Sequence, residues 1–289
     1  MEMTKKSKKP NQTLKIPKII LISGKFLSFI STKLVVRFAA QLFTTPIKYK
    51  IPKRELEMDS KSKQQIIQIP NINKEIVVYH FGESPKKILL VHGWSGRGTQ
   101  LVKFAEEFVK VGYSTISFDA PAHGKSSGKT TLMPEFIASI LEIDNQFGPF
   151  EAAIGHSLGG MSLLNAIKKG LKLNRLVIIG SGDVVQDIIN DFVQKLELDP
   201  KLNDLLRIHF ENKHQVAMDS FSSYHAAQKI DIPVLVVHDE DDDEVPVRCA
   251  HHIHQNLKNG ALMITQHLGH RKILGDAKVI QKTINFSTS

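Results

Sequence analysis

The chain has 289 residues, and its 38 Lys and Arg against 29 Asp and Glu give a formal net charge of +9. That length suits one sizeable core plus an insertion, and its ordinary hydrophobic and charged fractions leave no stretch disordered beyond the extreme N-terminus. Residues 1–57 hold thirteen Lys or Arg and three Glu, a surplus of +10 that leaves −1 for the remainder, so the body lacks the basic, aromatic-rich patches of a general nucleic-acid binder. The single cysteine, Cys249, excludes an internal disulfide and fits a reducing cytoplasm; it reads as a small buried hydrophobe sooner than as a nucleophile.

Residues 1–60 form a basic, amphipathic leader. Within residues 18–43, Lys25, Lys33 and Arg37 interrupt the apolar run, so neither a clean membrane span nor a secretory signal emerges. Phe26, Phe29, Ile30, Leu34, Phe38 and Phe43 recur at helical spacing. Such a stripe docks on the protein's own core, the favoured reading, or lies on a membrane surface. Lys5, Lys6, Lys8 and Lys9 supply the attraction to anionic lipid that the second reading needs. The expected location is the cytoplasm, with peripheral membrane association as the variant.

A catalytic body is expected over residues 61–289. QQIIQIP and KEIVVYHFG read as paired strands around a turn at residues 71–73. KILLVHG has the continuous apolar run of a buried central strand. A helix is expected over 99–110, a strand at YSTISFDAP, a helix over 132–147, a strand at FEAAIGHS and a helix over 158–169. RLVIIGSG, PVLVVHDE and ALMITQHLG complete eight strands, and Arg271 opens a closing helix. Strands separated by such helices require crossovers and a mostly parallel sheet with helices on both faces. The long interval between RLVIIGSG and PVLVVHDE exceeds one crossover helix. Its helical stretches at 187–196 and 202–210 predict a small lid over about 183–228.

Gly155-His156-Ser157-Leu158-Gly159-Gly160 closes an apolar strand and opens a helix. That is the setting of a nucleophile elbow, where a tight turn holds the serine out and its neighbours at ±2 must be small. A serine hydroxyl needs a base in hydrogen-bond reach and a third group to orient the base. Candidates follow in the order acid, then histidine: His238-Asp239-Glu240-Asp241-Asp242-Asp243-Glu244-Val245-Pro246, then His267-Leu268-Gly269-His270-Arg271.

These segments resemble the α/β-hydrolase superfamily, whose acid loop commonly reads H-G-x-x-D-x-x-V-P and whose histidine commonly sits in G-H after the last strand. Aligned on His238 and Val245-Pro246, the resemblance places the acid at Asp242, with Asp239 in the usual glycine position. It places the base at His270, since His267 comes three residues too early and would still be on the strand. Some members carry the acid after the preceding strand, which points to Asp183. Val91-His92-Gly93-Trp94-Ser95-Gly96 is similar to the superfamily's oxyanion loop, and the implied donors are the backbone N–H groups of Trp94 and Leu158. Phe118-Asp119-Ala120-Pro121-Ala122-His123-Gly124-Lys125-Ser126 resembles the D-x-P-G-H-G-x-S loop, in which Asp119 and His123 read as structural. H-G-W-S-G-R-G-T-Q, F-D-A-P-A-H-G-K-S-S-G and G-H-R-K-I-L together resemble a bacterial subgroup of hydrolases. So does the F-T-T-P element of the leader.

His251, His252 and His254 could share a helix face for a metal, but a solvated face accounts for them better. The acidic residues 239–244 lack the spacing of a calcium loop, and no phosphate loop or dinucleotide fingerprint is present. The expected activity is hydrolysis of a small-molecule carboxylic ester through an acyl-enzyme, without a cofactor. Thioester, amide or lysophospholipid cleavage at a membrane surface is one alternative, and a non-catalytic binding module on the same fold is another.

Overall fold

The computed structural model describes residues 16–289, so the lysines at 5, 6, 8 and 9 lie outside the described residues. The leader folds as a helical hairpin, α1 (Lys18–Ile30) and α2 (Thr32–Thr44), followed by a short α3 (Leu56–Lys61). Next come β1 (Lys63–Ile69) and β2 (Lys74–Phe81), joined through Asn73 at φ 49°, a conformation that asparagine tolerates. The alternating body runs β3 (Lys87–Val91), α4 (Val102–Lys110), β4 (Ser114–Asp119), α5 (Met133–Phe147), β5 (Ala152–His156), α6 (Leu158–Lys168) and β6 (Arg175–Ile179). The insertion supplies α7 (Val185–Lys195), α8 (Leu202–His214) and α9 (Ser223–Ala227). The chain closes with β7 (Val234–Asp239), α10 (Arg248–Asn256), β8 (Gly260–Thr265), α11 (Gly269–Lys272) and α12 (Ala277–Thr288).

The eight strands form one sheet in the order β1-β2-β4-β3-β5-β6-β7-β8. Within it β2 alone runs against the others, pairing antiparallel with both β1 and β4. The order reverses between β3 and β5, and ligands in such sheets bind beyond the carboxyl ends of the strands near that reversal.

Alternation of side chains along each strand divides the core in two. Leu89 and Val91 point with Ile116, Ala153 and Ile178 into the layer under α5, α6, α9 and α10. Ile88 and Leu90 point with Ile154 and Val177 into the layer under α4 and α12. A third apolar cluster joins Val35, Val36, Ala39 and Ala40 of α2 to Ile189 and Val193 of α7 and Leu206 and Phe210 of α8. The inner face of α2 is therefore spent on the insertion, but through these small residues and not through the expected stripe, of which Phe26, Phe29, Ile30 and Leu34 stay exposed because the α1–α2 pair turns them outward.

Several boundaries differ from expectation, and α8 runs to His214, four residues past the expected end at 210. Helix α4 starts at Val102 because residues 99–101 form a turn held by side chains: Thr99 Oγ1 donates to Glu55 Oε2 at 2.9 Å, and Gly98 N to Asp119 Oδ1 at 2.7 Å. The closing helix starts at Ala277, because Asp276 caps it by accepting from Lys278 N and Val279 N, both at 3.0 Å. His267 is not on β8, which ends at Thr265; it sits at φ 66° in the following loop, exposed, with Nδ1 2.7 Å from Asp241 Oδ2.

Candidate active site

Ser157 lies between β5 and α6 at φ 53° and ψ −121°, a region costly for a side-chain-bearing residue and typical of functional sites. The turn closes because Gly155 and Gly159 touch: a Cβ on Gly155 would lie 2.7 Å from the backbone of Gly159. The spacing of small residues around Ser157 thus reflects a real contact. Leu158 is the first residue of α6, so its N–H has no intrahelical acceptor and stays available.

The loop after β3 lies directly against this elbow. A Cβ on Gly93 would sit 2.8 Å from Ser157 Cβ, which places the adjoining Trp94 backbone beside the serine. Two buried imidazoles hold the loop in shape. His92 Nε2 accepts from Ala120 N at 3.0 Å, so its Nδ1–H donates to Gly93 O at 2.7 Å. His123 Nε2 accepts from Ser95 N at 3.0 Å, so its Nδ1–H faces Pro121 O at 3.1 Å. These roles need neutral rings. Burial supplies them, pushing His92 well below its ordinary value and His123 down to about 4. Asp119, fully buried, accepts from Tyr79 Oη, Gly98 N and Lys125 N. Asp119 and His123 tie loops together and do not line the cavity beside Ser157.

The loop after β7 carries Asp242, the candidate acid, and the loop after β8 carries His270, the candidate base. His270 Nδ1 is 2.7 Å from Asp242 Oδ2, both side chains buried. Asp242 Oδ1 accepts from Glu244 N at 2.9 Å and Val245 N at 2.8 Å. Burial would raise this carboxyl, but the bonds and charge at His270 and the Val245 N–H outweigh it and hold it below its ordinary value. An ionised Asp242 fixes a proton on Nδ1 and leaves Nε2 as the basic nitrogen. The serine approaches this pair around the end of β6. Ser157 N donates to Ile179 O at 2.9 Å, and a Cβ on the next residue, Gly180, would lie 3.4 Å from His270 Cε1 and 3.5 Å from Asp242 Oδ2. Among the described residues no hydrogen bond joins Ser157 Oγ to the His270 ring; such bonds commonly tighten only on substrate binding.

Asp183 does not touch His270. Its Oδ1 accepts from Tyr224 N at 3.0 Å, and its Oδ2 is hydrogen-bonded to His252 Nδ1. The other members of the histidine run are engaged or solvated: His254 Nε2 faces Gly260 O at 3.2 Å and His251 is exposed. Among the described residues no cluster of His, Cys, Asp and Glu is arranged to hold a metal. Cys249 is buried in the cavity wall, with its thiol pushed up to about 11 chiefly by burial.

Three residues to which the sequence reading gave no role in the chemistry complete the site. Asp239, in the position usually held by glycine, accepts from Asp241 N and Gly269 N through Oδ1 and from Thr265 Oγ1 and Leu268 N through Oδ2. One buried carboxylate therefore links the acid loop to the histidine loop. His156 Nε2 donates to His270 O at 2.9 Å, with the two rings 4.6 Å apart, and burial pushes His156 down to about 3. His238 Nε2 donates to Val245 O at 2.9 Å and lies 3.5 Å from Asp242 Oδ2. The departure at Asp239 and the place of His238 at the head of the acid-loop pattern were legible signals; His156 gives none.

Ser157 opens onto a cavity of about 630 Å³, a volume that holds a sizeable organic ligand. Its wall is mostly apolar: Leu42 and Phe43 of α2, Met161 of α6, Ile188 and Phe192 of α7, and Phe210 of α8. Asp187, Lys195 and Arg248 add charge to its lining.

A family model of the alpha/beta hydrolase fold matches residues 86–223, and one of TAP-like proteins matches residues 214–286. No curated protein sequence matches the chain. Among solved structures, an esterase from Exiguobacterium antarcticum superposes with TM-score 0.63 at 18% identity, covering 78% of this chain and 100% of that one. A membrane phospholipase A, described as a bacterial virulence factor, superposes with TM-score 0.63 at 17% identity, covering 93% and 98%. A protein from Butyrivibrio proteoclasticus solved with ferulic acid gives TM-score 0.58 at 17% identity, covering 78% and 100%.

Proposed function

The chain belongs to the α/β-hydrolase superfamily, and on that premise we propose that it is a serine hydrolase cleaving a carboxylic ester through an acyl-enzyme. The observation that carries the reading is the buried His270–Asp242 pair beside a serine held at positive φ over an apolar cavity. Ser157 Oγ attacks the substrate carbonyl carbon while His270 Nε2 takes its proton. The N–H groups of Trp94 and Leu158 receive the charge that forms on the carbonyl oxygen. The C–O bond to the alcohol breaks as His270 returns the proton to the leaving oxygen. Water then gives a proton to His270, attacks the acyl carbon, and releases the acid and free Ser157. Asp242 holds the imidazole tautomer throughout and stabilises the imidazolium.

The apolar wall favours one refinement, an ester with a long acyl chain, which a lysophospholipid would satisfy. Turnover of a p-nitrophenyl ester series from acetyl to palmitoyl, with Ser157→Ala as control, tests both levels. The reading predicts a best rate beyond acetyl and a loss of at least about a thousandfold in the variant. An acetyl optimum would contradict the long-chain refinement. No turnover of any ester by folded protein would favour a binding module on the same fold.

A further inference from the structure

We propose that α1 is an interfacial anchor that docks this protein on an anionic lipid bilayer. Ile19, Ile22, Phe26, Phe29 and Ile30 follow one another at steps of three, four, three and one, which confines them to a stripe about 100° wide. The stripe faces outward: Phe29 is 91% exposed, Ile19 68% and Phe26 63%. Leu34, exposed near the start of α2, extends it. The opposite side of α1 is already used, with Gly24 against Leu198 and with Ile20 and Leu27 packed on the cluster shared with the insertion. Folding therefore does not call for the outer stripe, and soluble monomers rarely expose contiguous apolar surface of this kind without a partner.

Charge selects the partner. Residues 16–54 carry Lys18, Lys25, Lys33, Arg37, Lys48, Lys50, Lys53 and Arg54 and no Asp or Glu. On the helical projection Lys18 and Lys25 border the stripe beside Phe29 and Ile22. Lys25 is joined to Glu197 at the surface, and Lys33 and Arg37 are exposed on α2. An apolar stripe edged by cations matches the acyl and phosphate layers of an anionic bilayer. A second copy of the same face would bring like charges together. At 13 residues α1 is about 20 Å long, short of the ~30 Å hydrocarbon core. Among the described residues no helix is long and apolar enough to cross a membrane. The helix therefore lies in the plane of the interface. Its neighbour α2 forms part of the cavity wall through Leu42 and Phe43, so the docked element is continuous with the site.

The test is co-sedimentation of the full chain with vesicles of phosphatidylcholine alone and of phosphatidylcholine with an equal share of phosphatidylglycerol. The wild type should sediment with the anionic vesicles and less with the neutral ones. Phe26→Ser with Phe29→Ser should weaken that binding about tenfold or more, and Lys18→Gln with Lys33→Gln should reduce its salt sensitivity. Both pairs are exposed, so circular dichroism and soluble-ester turnover should match the wild type, which separates this proposal from the catalytic one. Absence of vesicle binding by the wild type would overturn it, as would equal binding by the Phe26, Phe29 variant. A concentration-dependent dimer lost in that variant, without vesicle binding, would assign the stripe to a second copy instead.

Discussion

Asp242 and Asp183 each follow a central strand and each holds a histidine, so sequence alone leaves two candidates for the acid. Geometry separates them, since Asp242 bonds to His270 and Asp183 to His252. Asp242→Asn keeps the shape but favours the wrong imidazole tautomer, and turnover should fall by about a thousandfold or more. Asp183→Asn should retain turnover within about threefold, because its carboxylate supports α9 and α10. Ester kinetics of the two variants would reverse the assignment if the losses were exchanged. The elbow around Ser157 was readable because its glycines obey a steric rule that any such turn must obey. The role of His156 was not, because what makes it matter is burial against His270, a residue distant in the chain.

At the scale of elements, the leader is bound to the loop after β3 as well as to the insertion. Ile47 N donates to Ser95 Oγ at 3.0 Å, Lys48 Nζ to Ser126 O at 2.7 Å, and the buried Glu55 receives Arg97 Nη1 and Thr99 Oγ1, both at 2.9 Å. Glu55→Ala would strand a largely buried guanidinium, a change that typically costs about 3–5 kcal/mol. Urea unfolding of Glu55→Ala should show a loss of that order; a change under about 1 kcal/mol would mean that the pair is no anchor. Strand and helix alternation revealed the sheet because apolar period is a local property. The docking of α2 and the Glu55 contact were illegible because they depend on which surface the insertion presents. The starts of α4 and α12 shifted for a related reason, since side-chain bonds rather than apolar period set where those helices begin.

Across the whole molecule, four buried histidines, His92, His123, His156 and His238, have lowered pKa values, each chiefly through burial. In the unfolded chain they protonate near their ordinary 6.5, whereas the folded protein keeps His123 neutral to about 4 and His156 to about 3. The unfolded state thus binds more protons below 6.5, and stability must fall as pH drops from there toward the folded values. The slope is up to about 1.4 kcal/mol per pH unit for each proton. Asp242 adds a later loss: its lowered folded value stabilises the protein above the ordinary 3.8 and ceases to do so as pH falls further. Urea midpoints measured from pH 7 to pH 5 should decline with little change in m-value. A flat profile would contradict neutral burial of these rings.

The central claim is that Ser157 is an activated nucleophile, and labelling with a fluorophosphonate probe tests it most directly. The account predicts one covalent adduct, on the peptide that contains Ser157, absent from Ser157→Ala. A folded wild-type protein that takes no label, or takes it on another residue, would contradict the account.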